Sequence, residues 1–233
     1  MDNEVVKIVE FCKNNLKLIN AKLSEEYFYN SLPLCVIDSV FSIGVNYVST
    51  KNVVERYCKF FNLDMIRKVK SKLPSKKEQQ SVTDFCEKFE EYGIIFFTNS
   101  IFKNKQRTST KNGILKSQAV YEFCKVLKKY NVNYFQDVKK IISSKKFEID
   151  IKKINGQSSG ISLKYFFMLT GSDDFIKPDR MVLRFLKNIL NRNISLEEAH
   201  NLLKETTKEL KTEYTNLNPR LLDHQIWIFQ REN

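Results

Sequence analysis

The stretch KKINGQSSGISLKYFFMLTGSDDFIKPDRMVLRFL, residues 152–186, decides how this chain is read. Only six glycines occur in the whole chain, and Gly156, Gly160 and Gly171 all fall here, with Pro178 shortly after. The pattern predicts a helix ending at Ile154, a tight turn over Gly156-Gln157-Ser158-Ser159-Gly160, and a second helix through Leu169. Such a joint leaves the first amides of the second helix without intrahelical acceptors. Those amides, together with the positive end of the helix dipole, make a place for a phosphate. Ser158, Ser159 and Ser162 add hydroxyl donors, and Lys152, Lys153 and Lys164 add charge. The plainer reading of the same residues is an interhelical turn that needs glycine for positive φ. Further on, Lys177-Pro178-Asp179-Arg180 opens another helix, with Pro at its favoured first position. Asp179 then lies at or beside a helix amino terminus, 19 residues after Gly160.

Working outward, the 233 residues suffice for one large domain or two small lobes. Hydrophobic residues make up 42%, with 18 Phe and 10 Tyr, which supplies a sizeable core and excludes wholesale disorder. Six Gly and four Pro are too few for a turn-dense β-sandwich or barrel, so the fold class expected is all-α in the main. Lys and Arg exceed Asp and Glu by 39 to 27, a net charge of +12 that points to a polyanion. Double-stranded DNA is the expected partner. A chain from an AT-rich genome, heavy in Lys, Asn, Ile and Phe, is the bland source of the same excess.

Cys12, Cys35, Cys58, Cys86 and Cys124 stand far apart in apolar contexts, without CxxC spacing. They read as free buried thiols in a reducing cytoplasm, not as a metal or redox centre. His200 and His224 lack ligand spacing, so no metal site is expected. The amino-terminal MDNEVVKIVEF is acidic and amphipathic, unlike a signal peptide. No apolar run reaches the length of a spanning helix. The expected protein is cytoplasmic and monomeric, with neither a membrane nor an obligate protein partner.

Residues 3–20 place Val5, Ile8, Val9, Cys12, Leu16 and Ile19 on one helical face, with Asp2 or Asn3 as the cap. Leu32 to Tyr47 is nearly all apolar and reads as a central buried helix. Its isolated Asp38 needs a partner or a task. Thr50 or Ser49 is expected to cap the next helix, NVVERYCKFF. The basic RKVKSKLPSKK (67–77) reads as a solvated surface. A helix from about Val82 to Tyr92 is expected to stop at Gly93, with IIFFTNSI (94–101) following as a short strand or buried connector. FKNKQRTSTKNG (102–113) is a basic loop ending in an Asn-Gly turn. Helices are expected at about 115–130, 135–144 and 148–154, then led by Pro178, Ser195 and Pro219.

The succession GQSSG, ISLKYFFML, TGSDDFIK, PD and RMVLRFL resembles the helix-hairpin-helix DNA glycosylase superfamily, the HhH-GPD group. Members show a glycine-rich hairpin, an apolar helix, a short loop and a catalytic Asp before a helix with an Arg-containing stripe. LPLCVIDSVFSIGVNYVSTKNVVERYCKFF (32–61) is similar to the family's early buried helix, lesion-side turn and following helix, so the likeness extends over about residues 30–230. It implies one two-lobed helical unit with the DNA and active-site cleft between lobes. The approximate lobes are 30–150, with the wedge turn and basic loop, and 1–29 plus 151–233, with the hairpin and the catalytic Asp. Bifunctional members carry a Schiff-base lysine two residues after the second hairpin glycine. Here that position is Ser162, and Lys164 points about 200° away around the helix, so hydrolysis without lyase chemistry is implied. The hairpin is longer than the usual Pro-Gly-apolar-Gly form, and the iron–sulfur cysteines of some members are missing. No cofactor is implied beyond a monovalent or divalent cation at the hairpin.

On this resemblance Asp179 is the catalytic carboxylate. Breaking an N-glycosidic bond builds positive charge on the sugar, which a fixed carboxylate stabilises while orienting water. A helix amino terminus favours its ionised form. The plain alternative for Asp179 is a helix cap. The target nucleotide must leave the duplex, with phosphate contacts expected from Gly156, Gln157, Ser158, Ser159, Gly160, Ser162, Lys164, Arg107 and Lys111. Asn46 or Tyr47, in the turn after Gly44, is expected to fill the vacated stack. Asp38, Phe41, Tyr165, His224 and Trp227 are the candidates for the base pocket. The base, damaged or a modified base of phage DNA, stays open, as do repair and antiviral defence. A catalytically silent DNA-binding module and a helical scaffold for a protein partner are the rival readings.

Overall fold

All ten residues of Leu32–Phe41 are buried, and this helix (α2) is the centre of its unit. The computed structural model describes residues 3–232; Asp2, one of the two residues expected to cap the first helix, lies outside them. Two units divide the chain: Glu25–Thr170 is one, and the segments up to Ser24 and from Gly171 onward form the other. Among the described residues every named element is helical.

In the Glu25–Thr170 unit, α2 is flanked by α3 (Tyr47–Phe61), α5 (Lys116–Lys129) and α7 (Ile161–Leu169), and α5 is backed by α4 (Val82–Phe96). The expected run from Leu32 to Tyr47 breaks after Phe41, because Gly44 adopts φ 72° and turns the chain. Asn46 then caps α3, its side-chain oxygen accepting from the Val48 N–H at 2.9 Å, so neither Thr50 nor Ser49 has that role. Gly93, at φ 76° and ψ 155°, kinks α4 where the helix was expected to end. IIFFTNSI is not a strand: it continues helically into the π-turn Phe97–Ile101. Phe97 and Ile101, four apart, both face the core, and the Phe97 ring stacks on Phe89 with centroids 3.5 Å apart. The expected helix at 135–144 is a 3-10 segment, Phe135–Lys140, and α6 runs Lys145–Lys152.

Leu163, Phe166 and Phe167 give α7 an apolar side that lies on α2, with Phe166 against Phe123 of α5. That burial carries α6, the hairpin and α7 into the same unit as α2. The boundary expected near residue 151 accordingly falls at Gly171. The hairpin and Asp179 belong to different units.

In the other unit, α1 (Asn3–Asn15), α8 (Arg180–Leu190), α9 (Leu196–Leu210) and α10 (Pro219–Glu232) share a core that includes Ile8, Cys12, Phe185, Leu203 and Ile226. Helix α1 stops at Asn15, whose amide donates to the Phe11 carbonyl, and Ile19, expected on the buried face, is 76% exposed. Ser195 and Glu198 form a capping box at α9. Pro178 is buried but precedes the cap: Asp179 is the N-cap and Arg180 the first helical residue. All five cysteines are free and buried, as their contexts predict.

Candidate nucleic-acid interface

Two segments that the sequence nominates separately are joined in the Glu25–Thr170 unit. Gly156 and Gly160 take φ of 86° and 70°, and Gly160 is the N-cap of α7. The Asn155 side-chain amide donates to the Asn112 carbonyl at 2.9 Å, across from the basic loop. A Cβ on Gly156 would lie 2.3 Å from Thr108 Cβ, so glycine is what lets the loop seat against the hairpin. Within the loop, the Thr108 N–H donates to the Ile114 carbonyl at 2.9 Å. Arg107 donates to the Gly113 carbonyl at 2.6 Å, and both Arg107 and Lys111 are exposed.

Ser158 and Ser159 are exposed on the hairpin, and Ser159 Oγ accepts from the Ile161 N–H at 3.4 Å. Three nominated phosphate ligands are not on that surface: Gly160 is buried, and so are two neighbouring side chains. Gln157 and Ser162 are each 1% exposed, and the Ser162 hydroxyl donates to the Gln157 carboxamide inside the turn. A Gly-flanked glutamine folded inward closes the longer loop from within. Lys164 is partly exposed on α7, and Lys152 approaches Gly160 through its stem while pairing with Glu148.

Lys116, which no pattern in the sequence singles out, is only 3% exposed. Its ammonium donates to the Phe41 carbonyl at 2.9 Å and the Ile43 carbonyl at 2.8 Å, and lies 3.4 Å from Gln106 Oε1. A cation thus sits on the carbonyl end of α2 and ties the turn before α3 to the start of the basic loop.

Asp38, Tyr47 and Tyr165 are brought together, with Tyr27 and Tyr29 alongside. The buried Asp38 carboxylate accepts from the Tyr29 hydroxyl at 2.9 Å. The Tyr27 and Tyr165 rings meet edge to face, centroids 6.3 Å apart. Burial first, and then the Asp38 charge, raise the pKa values of Tyr29, Tyr47 and Tyr165, so all three stay protonated. Phe41 does not join this cluster. It is fully buried and meets Phe102 edge to face at 5.2 Å, as core. Tyr47 turns inward toward Tyr29, so of the two wedge candidates only Asn46 is exposed; Val48 beside it, 55% exposed, is the apolar side chain at that tip. The Tyr-x-Tyr of EEYFYN was the available signal for Tyr27 and Tyr29.

In the other unit, Asp179 Oδ1 accepts from the Met181 N–H at 2.8 Å and lies 3.4 Å from the Val182 nitrogen. Its second oxygen lies 3.8 Å from Lys177 Nζ, and the side chain is 24% exposed. Asp223 of α10 accepts from the Lys177 N–H at 2.9 Å. Burial, and then the charge on Asp179, push the Asp223 acid well above the usual carboxylate range. Asp223 interrupts the apolar residues of LLDHQIWIF in α10, and that was the signal for it. His224 and Trp227, candidates for the base pocket, lie here and not with Asp38: His224 is 3% exposed and stacks on Trp227 with centroids 5.7 Å apart, while Arg231 covers the indole at 4.6 Å. Burial lowers the His224 imidazole to about 4.

The family model for a domain of unknown function, DUF8548, matches residues 6–231. The chain belongs to the DUF8548 family. That match covers nearly all of both units of the DUF8548 chain. No curated protein and no solved structure matches it. Among the described residues, no helix is long and apolar enough to cross a membrane, and no three His, Cys, Asp or Glu side chains gather where a metal ion would be held.

Proposed function

We propose that this DUF8548 protein is a monofunctional DNA glycosylase of the HhH-GPD type, releasing a damaged or modified base by hydrolysis. The observation that carries the reading is the docking of the basic loop on the glycine hairpin. It brings the segment that carries Arg107 and Lys111 against the turn that carries Ser158 and Ser159, all four exposed, in a strongly basic chain. Backbone phosphates are the ligand that such a face suits. Asp179 supplies the carboxylate that stabilises positive charge on the sugar, and the Asp38 tyrosine cluster is the base pocket. Ser162, where a bifunctional member has lysine, is buried and bonded to Gln157, which supports hydrolysis without strand cleavage.

One observation favours the catalytically silent DNA-binding module: Asp179 Oδ1 already caps α8. The two readings part on one experiment. Damaged and phage-modified DNA is incubated with the protein, then heated in alkali, and free base is sought by mass spectrometry. The glycosylase reading expects released base and breaks only after alkali. It also expects Asp179→Asn to abolish release while leaving duplex affinity within about twofold. Base release by Asp179→Asn at the wild-type rate would overturn the role of Asp179, and no release from any substrate would leave the silent module.

A further inference from the structure

We propose that Asp223 of α10 is a positioning residue: through Lys177 it holds the main chain from which Asp179 aims its carboxylate. This rests on the reading of Asp179 as the catalytic group and adds what keeps that group in register. Two hydrogen bonds and one residue join the two acids. Asp223 Oδ1 accepts from the Lys177 N–H at 2.9 Å, and the Lys177 carbonyl accepts from the Asp179 N–H at 2.7 Å. Between them stands Pro178, buried and with its φ fixed by its ring. A shift of the Lys177 amide is thus passed on to Asp179.

The segment before Asp179 needs such a hold. Asp173 and Asp174 are exposed, and Ile176 is the apolar residue that enters the core. One buried side chain fixes a place but not an orientation, and α10 adds the orientation. Arg220 Nη2 meets Asp173 Oδ1 at 2.6 Å, and the Arg220 N–H donates to the Asp173 carbonyl at 3.2 Å. One turn later Asp223 takes the Lys177 amide, so the start of α10 grips both ends of residues 173–177. A carboxyl group only 5% exposed is costly to bury, and an apolar side chain would fill the place without that cost. Asp179 Oδ1 is held by the Met181 N–H at 2.8 Å, with Lys177 Nζ 3.8 Å from Oδ2, so the carboxylate follows the backbone between Lys177 and Met181.

The test uses the full chain with Asp223→Leu, which removes the acceptor at similar size, and Asp223→Asn, which keeps a carbonyl for the Lys177 N–H. Amide hydrogen exchange, followed by NMR, reads the hold directly. In Asp223→Leu the Asp179 and Met181 N–H groups are expected to exchange at least about tenfold faster, with Phe185 in the middle of α8 unchanged. Asp223→Asn is expected to exchange as the wild type does. Single-turnover base release should fall about 100-fold in Asp223→Leu and less than about threefold in Asp223→Asn, with duplex affinity within about twofold for both. Unchanged exchange in Asp223→Leu, release by it at the wild-type rate, or an Asp223→Asn as impaired as Asp223→Leu would each overturn the inference. Asp223→Ala takes the place of a leucine variant that does not fold; failure of both to fold would also overturn it, because Asp223 would then serve stability and not aim. Absence of release from the wild type removes the glycosylase reading and leaves the exchange to decide the hold. Release with unchanged exchange does the reverse.

Discussion

Burial alone takes His224 from its ordinary value to about 4, and this ties the stability of its unit to pH. The unfolded chain binds the imidazole proton near pH 6.5 and the native chain only near 4. Between those values the unfolded state carries more protons, so the native state loses stability as pH falls from about 6.5 to about 4. The loss attributable to this side chain is about 3 kcal/mol. His224→Gln is expected to flatten the difference in urea-unfolding free energy between pH 7.5 and pH 4.5; a difference unchanged by the substitution would show that other groups carry it. Asp223 acts with the opposite sign. Its raised acid contributes stability below about pH 3.8 that is lost as pH rises through its native value. Asp179 separates capping from chemistry. Asn caps nearly as well as Asp, whereas alanine forfeits about 1 kcal/mol. Asp179→Asn should therefore melt with the wild type, while Asp179→Ala melts earlier, and both lack base release. Residues of this kind were legible where they broke a pattern: Asp38 and Asp179 are charges set against apolar or helical runs. Lys116 was not, because a lysine opening an amphipathic helix looks solvated until its acceptors, far away in sequence, are known.

Helices were legible from periodicity, and so were the starts at Ser195 and Pro219, but several other ends were not, because ends depend on single φ values and caps. Asn46 rather than Ser49 starts α3, and Gly93 bends α4 without ending it. The hairpin was the clearest element, since Gly156 and Gly160 both adopt the positive φ their residue type permits. Its seating on the basic loop was invisible, because it joins segments more than 40 residues apart through a contact defined by a missing side chain. That contact can be tested directly. Gly156→Ala adds strain at φ 86° and drives a methyl into Thr108, so it is expected to lower the melting temperature and weaken duplex binding severalfold. Thr108→Gly in the same chain removes the obstructing Cβ and should restore part of the binding, leaving the φ strain. A double variant no better than Gly156→Ala would mean that the loop and the hairpin act on DNA independently.

The division of the chain sets which properties travel together. Glu25–Thr170 is continuous, holds α2 at its centre, and contains the hairpin, the basic loop and the tyrosine cluster. The other unit is assembled from both ends of the chain and contains Asp179, Asp223 and His224. Composition anticipated a basic protein and the family resemblance implied two lobes, but the boundary at Gly171 is decided by the burial of α7 on α2, which no local signal announces. If phosphate binding belongs to the continuous unit, residues 25–170 expressed alone should fold cooperatively and bind duplex DNA without releasing base. With about four phosphates engaged, affinity should fall about 100-fold between 50 and 200 mM salt, with a log–log slope near −4. The full chain should show a slope no shallower than the fragment, because any contact from the second unit adds counterions released. A fragment that folds but binds without salt dependence would remove the hairpin and loop from the interface. The charge of the whole chain would then be no guide to where it meets DNA.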